Sequence, residues 1–344
     1  MERTIYNFEQ FDRLADDLGT AGLRQSRARQ EQVVRTGVIL NRRSHQNMAE
    51  TRLCEDSGDV TFACPETRIG IAHELARMAR KGIDLLVISG GDGTVRDVLT
   101  MGQPVFGNHW PKIAVLPKGK TNALNVDIGS PSDWTLAEAI DAYGQGRTVK
   151  RRPLAIRAAG TSDPAMLGFI FGAGAFTLGV DAGQDAHRFG AFNSLAVGMA
   201  SAWGVAQALF GSDANRWRRG AAMELAYHPS GEAMPRSKHG DPARRTVLLA
   251  STLQTMPLDI KLFGKGQRGI RLLALDHPRR RILFSTPAIL AGWHPRWLSA
   301  AGMHHLSAQG FSITLDSPFI LDGEHFDGGS FTVEQGPELT FVAG

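Results

Sequence analysis

The sequence predicts an α/β domain followed by a mainly antiparallel β domain. Three observations lead there. Over roughly the first 145 residues, strand-like runs alternate with helical ones, as in a parallel sheet with crossover helices. Beyond Lys150 the strand-like segments become short and are punctuated by Pro, Gly and Asp, the pattern of an antiparallel domain. The chain has 344 residues, 42% hydrophobic and 21% charged, an ordinary globular composition at a length that suits two domains.

Residues 1–32 form an N-terminal extension with Phe8, Phe11, Leu14 and Leu18 at helical spacing. The α/β domain is expected over 33–148. Its first strand is Val33 to Leu40, ending at Asn41, and a second covers Asp59 to Ala63. Thr67 caps a helix to Lys81, along which Ile71, Leu75 and Met78 recur at helical spacing. The branched run Ile83 to Ile88 reads as a buried strand. It delivers Ser89-Gly90-Gly91-Asp92-Gly93-Thr94 to the mouth of a helix that begins near Val95. Lys112 to Leu116 is a further strand, closed by Pro117-Lys118-Gly119-Lys120-Thr121-Asn122, and a helix carrying Leu136, Ala139 and Ile140 runs to about Tyr143.

The β-rich domain is expected over 149–344. Its strands fall at Arg152–Ala158, Met166–Phe171, Met223–Tyr227, Thr246–Leu253, Gly269–Leu275, Arg281–Phe284 and Phe311–Leu315. Only Ala191–Phe210 and Thr286–Ser299 read as helices, and the loop from Pro229 to Pro242 is polar and turn-rich.

Chemistry concentrates at the glycine turn. Glycine permits tight turns and lets another molecule approach the main chain. A helix start offers free N–H groups and partial positive charge, which suits phosphate. Asp92 among these glycines suits a magnesium ion beside phosphate oxygens. A turn capped by Asp92 or Thr94 is the plain alternative. Near the end, Asp322-Gly323-Glu324 follows the apolar Pro318 to Leu321. In a strand, positions two apart share a face, which would aim both carboxylates at a cleft. Asp-Gly is also a common turn.

Net charge is +4, too small an excess to argue for nucleic acid. The basic residues cluster at Arg42-Arg43, Arg151-Arg152, Arg216 to Arg219, Arg244-Arg245 and Arg279 to Arg281. Such clusters are solvated surface or contacts for phospholipid headgroups. The two cysteines, Cys54 and Cys64, lack metal-ligand spacing and form no disulfide framework, which fits a reducing, cytoplasmic compartment. The start of the chain lacks a secretory signal, and Ala191–Phe210 lacks the apolar density of a membrane span. His304-His305 lack a second ligand pair at metal spacing. The segment Trp293 to Trp297 suits packing or a membrane interface.

The glycine turn, the Lys118–Asn122 turn and Asp322-Gly323-Glu324, in that order, resemble the diacylglycerol kinase catalytic domain family, which includes sphingosine kinases and bacterial lipid kinases. The resemblance spans roughly residues 33 to 344. Phe171 to Phe176 with Asp181 resembles the family's glycine stretch that opens the second domain. The resemblance implies a phosphofructokinase-like α/β domain, a β-sandwich and an active site in the cleft between them. It implies ATP as phosphoryl donor with Mg2+, and a lipid alcohol, such as diacylglycerol or a sphingoid base, as acceptor. It places nucleotide contacts at Asn41, Thr67, Gly90, Gly91, Asp92, Gly93, Thr94, Thr121 and Asn122. Magnesium falls to Asp92, and a structural metal of the second domain falls near Asp276. Glu324 is expected as the catalytic base, with Asp322 orienting it or binding metal. Plain helix capping is the stronger reading of Thr67.

A lipid kinase of this kind works at a membrane surface, peripherally on the inner face of the membrane. Its oligomeric state stays open, a homodimer included. Two departures stand out. Asn41 is followed by Arg42-Arg43 where the family carries a proline and a glycine turn, and Arg96-Asp97 replaces Asn-Glu after the glycine turn. The alternatives are an NAD kinase-like enzyme, which shares the Gly-Gly-Asp-Gly turn but not the late Asp-Gly-Glu, and a nucleotide- or lipid-binding protein weakened in catalysis.

Overall fold

The computed structural model describes residues 34–42, 44, 56, 58–119, 121–162, 165–188, 215–264 and 268–344. The N-terminal extension 1–32 and the expected helix at Ala191–Phe210 lie outside the described residues.

The first layer is a sheet ordered β2-β1-β3-β4-β18-β5. Its strands are β1 Thr36–Leu40, β2 Val60–Ala63, β3 Leu85–Gly90, β4 Lys112–Pro117, β5 Thr148–Arg151 and β18 Leu339–Val342. The pairs β1–β2, β1–β3, β3–β4 and β4–β18 are parallel, and β5 runs antiparallel to β18. All six residues of β3 are buried, as its uninterrupted apolar composition requires in a strand covered on both faces. Helices α1 Arg68–Lys81, α2 Asp92–Phe106, α3 Ala123–Ile128 and α4 Leu136–Gly144 supply the cover. Gly37 and Gly102 allow close packing there: a Cβ at the first would meet the Met78 sulfur at 2.7 Å, and at the second the Trp110 ring at 2.5 Å. The last residues, expected with the second domain or packed back on the first, do pack on the first: β18 fills the place between β4 and β5, and β5 extends the α/β sheet to Arg151.

Two further sheets make the second body, ordered β10-β9-β14-β17-β6-β7 and β13-β12-β11-β8-β15-β16. The first holds β6 Leu154–Ala158, β7 Met166–Gly168, β9 Ala221–His228, β10 Arg244–Arg245, β14 Gly310–Leu315 and β17 Gly329–Gln335. The second holds β8 Ile170–Gly174, β11 Val247–Ser251, β12 Ile270–Leu275, β13 Met303–Ala308, β15 Phe319–Leu321 and β16 Glu324–Phe326. Among the described residues, every strand pairing in these sheets is antiparallel. The sheets meet face to face through Phe171 on Phe311, ring centroids 6.3 Å apart, and Phe319 on Phe331, 5.2 Å apart. A helix, α5 Ala175–Arg188, follows β8 directly.

One expected strand is a helix. Arg281–Phe284 belongs to α7 Arg280–Leu290, which follows the short α6 Arg216–Arg219 in chain order. Ile282, Leu283 and Ile289 of α7 are buried while Phe284 is 70% exposed, a helical distribution that four residues of sequence do not reveal. The expected helix Thr286–Ser299 is divided between α7 and α8 Trp297–Ala301. Cys64 is disulfide-bonded, and the chain's other cysteine, Cys54, lies outside the described residues. Among the described residues, no helix is long and apolar enough to cross a membrane.

Helix α2 joins the two bodies. Its N-terminus carries the glycine turn, and farther along Thr100 Oγ1 accepts from the Leu167 N–H at 3.0 Å and donates to the Leu167 carbonyl at 3.4 Å. Helix α2 of the α/β body is thereby held against β7 of the sandwich.

Candidate active site

Asn41, the glycine turn and the Lys118–Asn122 turn all lie at the C-terminal ends of β1, β3 and β4, where open α/β sheets bind ligands. The two turns touch backbone to backbone. The Lys118 N–H donates to the Gly90 carbonyl at 3.0 Å. A Cβ on Gly91 would stand 2.9 Å from Gly119 Cα, and one on Gly119 would stand 2.5 Å from Gly91 Cα. Only glycine fits at either place. Gly90 is needed for a second reason, since a Cβ there would overlap the Thr94 side chain at 2.5 Å. Asn41 Nδ2 donates to Thr94 Oγ1 at 2.8 Å and the Asn41 N–H to the Ser89 carbonyl at 3.0 Å, which ties β1 to the first turn of α2.

In the second turn the Asn122 side chain bonds within the turn itself. Asn122 is in the left-handed conformation, and its amide both accepts from the Gly119 N–H and donates to the Gly119 carbonyl, each at 2.9 Å. Thr121 is exposed beside it, and Lys120 lies outside the described residues. Thr67 caps α1, accepting from the Gly70 N–H at 3.0 Å.

Asp92 has an architectural task that the sequence does not announce. Its carboxylate accepts from the Ala123 N–H at 3.0 Å and the Leu124 N–H at 3.3 Å, so it caps α3 from a neighbouring element. Burial raises its pKa, and these N–H donors work against that rise. Helix α2 itself opens at Gly91 with no side-chain cap, which leaves its own first-turn N–H groups to other acceptors.

The Asp322-Gly323 pair is not part of a strand. It forms the two-residue turn between β15 and β16, with Asp322 at φ 48° and Gly323 at φ 84°, and Leu321 pairs with Glu324 across it. This corrects the expectation that strand alternation puts both carboxylates on one face. Asp322 turns back to accept from the Phe169 N–H at 3.0 Å and the Ile170 N–H at 2.9 Å. Gly168 makes room, because a Cβ there would lie 2.6 Å from Asp322 Oδ2. Burial, reinforced by the negative charge of Asp92, pushes the Asp322 carboxyl up to about 7.

Glu324 reaches the other way. A Cβ on Gly93 would be 3.4 Å from Glu324 Oε1, so the hairpin carboxylate lies against the glycine turn. Glu324 Oε2 is 2.7 Å from Arg96 Nη2 and 3.2 Å from Arg68 Nη2. Arg96 is 1% exposed, also donates to the Leu321 carbonyl at 3.0 Å, and lies over the Phe326 ring. Asp97 Oδ1 receives both arginines, Arg68 Nε at 3.0 Å and Arg96 Nη2 at 2.9 Å. His325, next in the hairpin, meets Asp181 of α5 at 2.8 Å.

The structure therefore brings Asn41, the glycine turn, Asn122, Asp322 and Glu324 together. It leaves Thr67 as a cap and sends Asp276 elsewhere. Asp276 is buried in the sandwich between Arg245 Nη1 at 2.6 Å, His304 Nε2 at 2.9 Å and the Ser237 N–H at 2.7 Å. Both its oxygens are thus occupied and a guanidinium already stands beside it, so the residues present do not fit a metal at Asp276. Arg96 and Arg68, which hold the Glu324 carboxylate, are the candidate-site side chains that sequence reasoning missed. Their signal was an arginine at 96 on the helix face that carries Leu99 and Thr100, a position where a charge needs a partner.

A sequence model described as the diacylglycerol kinase catalytic domain matches residues 35–155. Two curated diacylglycerol kinases, from two strains of Staphylococcus epidermidis, are each 35% identical over 99 residues, which is 28% of this chain and 29% of theirs. A solved putative diacylglycerol kinase from Bacillus anthracis superposes with a TM-score of 0.61 at 14% identity, covering 90% of this chain and 97% of that one. Another diacylglycerol kinase structure from the same organism gives 0.57 at 12% identity, with the same coverage. These structural likenesses concern the fold. Residues 35–155 are thus similar to a diacylglycerol kinase catalytic domain, and the matched stretch spans under a third of the curated relatives' length.

Proposed function

We propose that the protein is an ATP-dependent lipid kinase, which transfers the γ-phosphoryl group to the hydroxyl of a lipid such as diacylglycerol or a sphingoid base at a membrane surface. The observation that carries this reading is the approach of Glu324 to Gly93, a carboxylate of the sandwich laid against the phosphate-binding type of turn on the α/β body. Phosphoryl transfer asks for positioning and charge neutralisation around an in-line acceptor. The uncapped start of α2 and the side-chain-free contact of Gly91 with Gly119 fit nucleotide phosphates. Magnesium enters such sites with the nucleotide and needs only one or two protein carboxylates. Asp92, at the mouth of the glycine turn, takes one N–H on each oxygen, which leaves each a further lone pair, and would hold it together with the nucleotide. Magnesium supplies neutralisation of the phosphate charge. Glu324 Oε1 would take the proton of the acceptor hydroxyl as it leaves. Arg96 and Arg68 hold Oε2 and fix the direction of the other oxygen. Asn41 and Asn122 set the two turns that bind the nucleotide.

The test is transfer of label from γ-labelled ATP to a panel of diacylglycerol, sphingoid base, ceramide and NAD in mixed micelles. Label in a lipid supports the reading. Label in NAD alone, or nucleotide binding with no transfer to any acceptor, overturns it.

A further inference from the structure

A second cleft lies away from the glycine turns, where the chain crosses between the two bodies. The β5–β6 connection and the β17–β18 connection pass side by side there, with the Gly336 N–H donating to the Pro153 carbonyl at 2.7 Å. The cleft has a volume of about 380 Å3. Lys150, Arg151 and Arg152 line it from the α/β side, and Thr252, Arg268 and Arg271 from the sandwich side.

Charge there is out of balance. Glu338 serves Lys150 at 2.7 Å and Arg152 at 3.4 Å, and Asp127 serves Arg151 at 2.6 Å. Five cations thus share two carboxylates, and among the described residues neither Arg268 nor Arg271 has one. Arg271 Nη1 reaches only the Gln254 carbonyl at 3.4 Å, and its guanidinium lies over the Phe263 ring. Arg271 Nη2 and Thr252 Oγ1 are both buried without a hydrogen-bond partner. An orphaned buried guanidinium nitrogen costs stability unless something accepts from it. Burial correspondingly depresses the Arg271 pKa. A concave, multiply cationic lining with an orphaned donor and an orphaned hydroxyl is the complement of a compact oxyanion with several acceptor oxygens.

We propose that this cleft binds a phosphate-bearing anion, either a small phosphate ester or a phospholipid headgroup, and that the bound anion bridges the two bodies. Its position gives binding a route to the glycine turns. Asp127, whose Oδ2 takes Arg151 and whose Oδ1 takes the Gln254 N–H at 2.7 Å and the Thr255 N–H at 2.6 Å, stands in the last turn of α3. The first turn of that helix is capped by Asp92.

Calorimetric titration with pyrophosphate and with glycerol 3-phosphate tests the water-soluble source. Co-sedimentation with vesicles of phosphatidylcholine, with and without phosphatidylglycerol, tests the headgroup source. The variants are the double R268Q/R271Q and, as an exposed change that leaves packing alone, K150Q; circular dichroism and melting check their folds. The expected result is one saturable binding event that weakens at least tenfold in R268Q/R271Q and severalfold in K150Q, falling with added salt. Loss of the event with the soluble phosphates assigns a free ester. Loss confined to phosphatidylglycerol vesicles assigns a headgroup. The proposal is overturned if no probe binds the wild type, or if both folded variants bind every probe as the wild type does.

Discussion

Arg96 of the α/β body and Glu324 of the sandwich meet at 2.7 Å, a charge pair between residues 228 positions apart whose arginine is fully buried. Asp97 and Arg68 extend the pair into a four-member cluster. Removing Arg96 leaves the part-exposed Glu324 and Asp97 with Arg68 but strips the buried Leu321 carbonyl of its donor, an unpaired group that typically costs about 1–3 kcal/mol. Arg96→Met should lower unfolding stability by that order in a urea melt. A loss below about 1 kcal/mol would show that the cluster is solvated and contributes little.

Glu324→Gln retains the reach and an acceptor oxygen for the arginines but cannot take a proton. Transfer to lipid is expected to fall by about 10²–10⁴, the usual worth of a positioned general base. On the proposed reading, in which the glycine turns hold the nucleotide, ATP affinity by calorimetry should stay near wild type. Unchanged transfer would make Glu324 a residue of the hairpin only.

For Asp322 the folded pKa, about 7, stands above the ordinary aspartate value of 3.8, so between these values the folded state binds more protons than the unfolded one. Its contribution to stability is therefore fully present below about pH 4 and is lost as pH rises through 7. Asp322→Asn, which still accepts from Phe169 or Ile170, should gain in melting temperature relative to wild type between pH 5 and 8. Parallel curves for the two proteins would mean that Asp322 titrates as an ordinary carboxylate.

Asp92→Ala should cost about 1 kcal/mol through the lost cap on α3, and should also remove ATP turnover. Asp92→Asn separates the two tasks: it keeps an oxygen for the cap and should recover most of the stability with turnover still low. Full turnover in the asparagine variant would restrict Asp92 to capping.

Much of this site was legible in the chain because it rests on short, local signals. A branched run ending in glycines fixes β3 and its turn, and the same logic finds the turn after β4. What escaped depends on distance or period. Arg281–Phe284 is too short for its period to be read, and its helix is settled by burial of Ile289 five residues beyond. Asp322 and Glu324 have the spacing of one strand face, yet the left-handed angles of Asp322 and Gly323 place a turn there. The cap that Asp92 gives to Ala123 crosses 31 positions and no sequence pattern marks it. Arg96 reads as a departure in a family motif, and only tertiary contact shows it anchoring Glu324.

The place of β18 bears on the order in which the protein can assemble during synthesis. Strands β4 and β5 leave the ribosome early, yet they are not neighbours; Leu339–Val342 separates them. Until that segment is made, the early sheet has to hold open a slot about 9–10 Å wide, two strand spacings, or close it wrongly. The half translated first is thus the half completed last. A nascent chain stalled anywhere before residue 339 should present an unfilled edge to chaperones, and the two bodies should unfold as one cooperative unit although each has its own sheets.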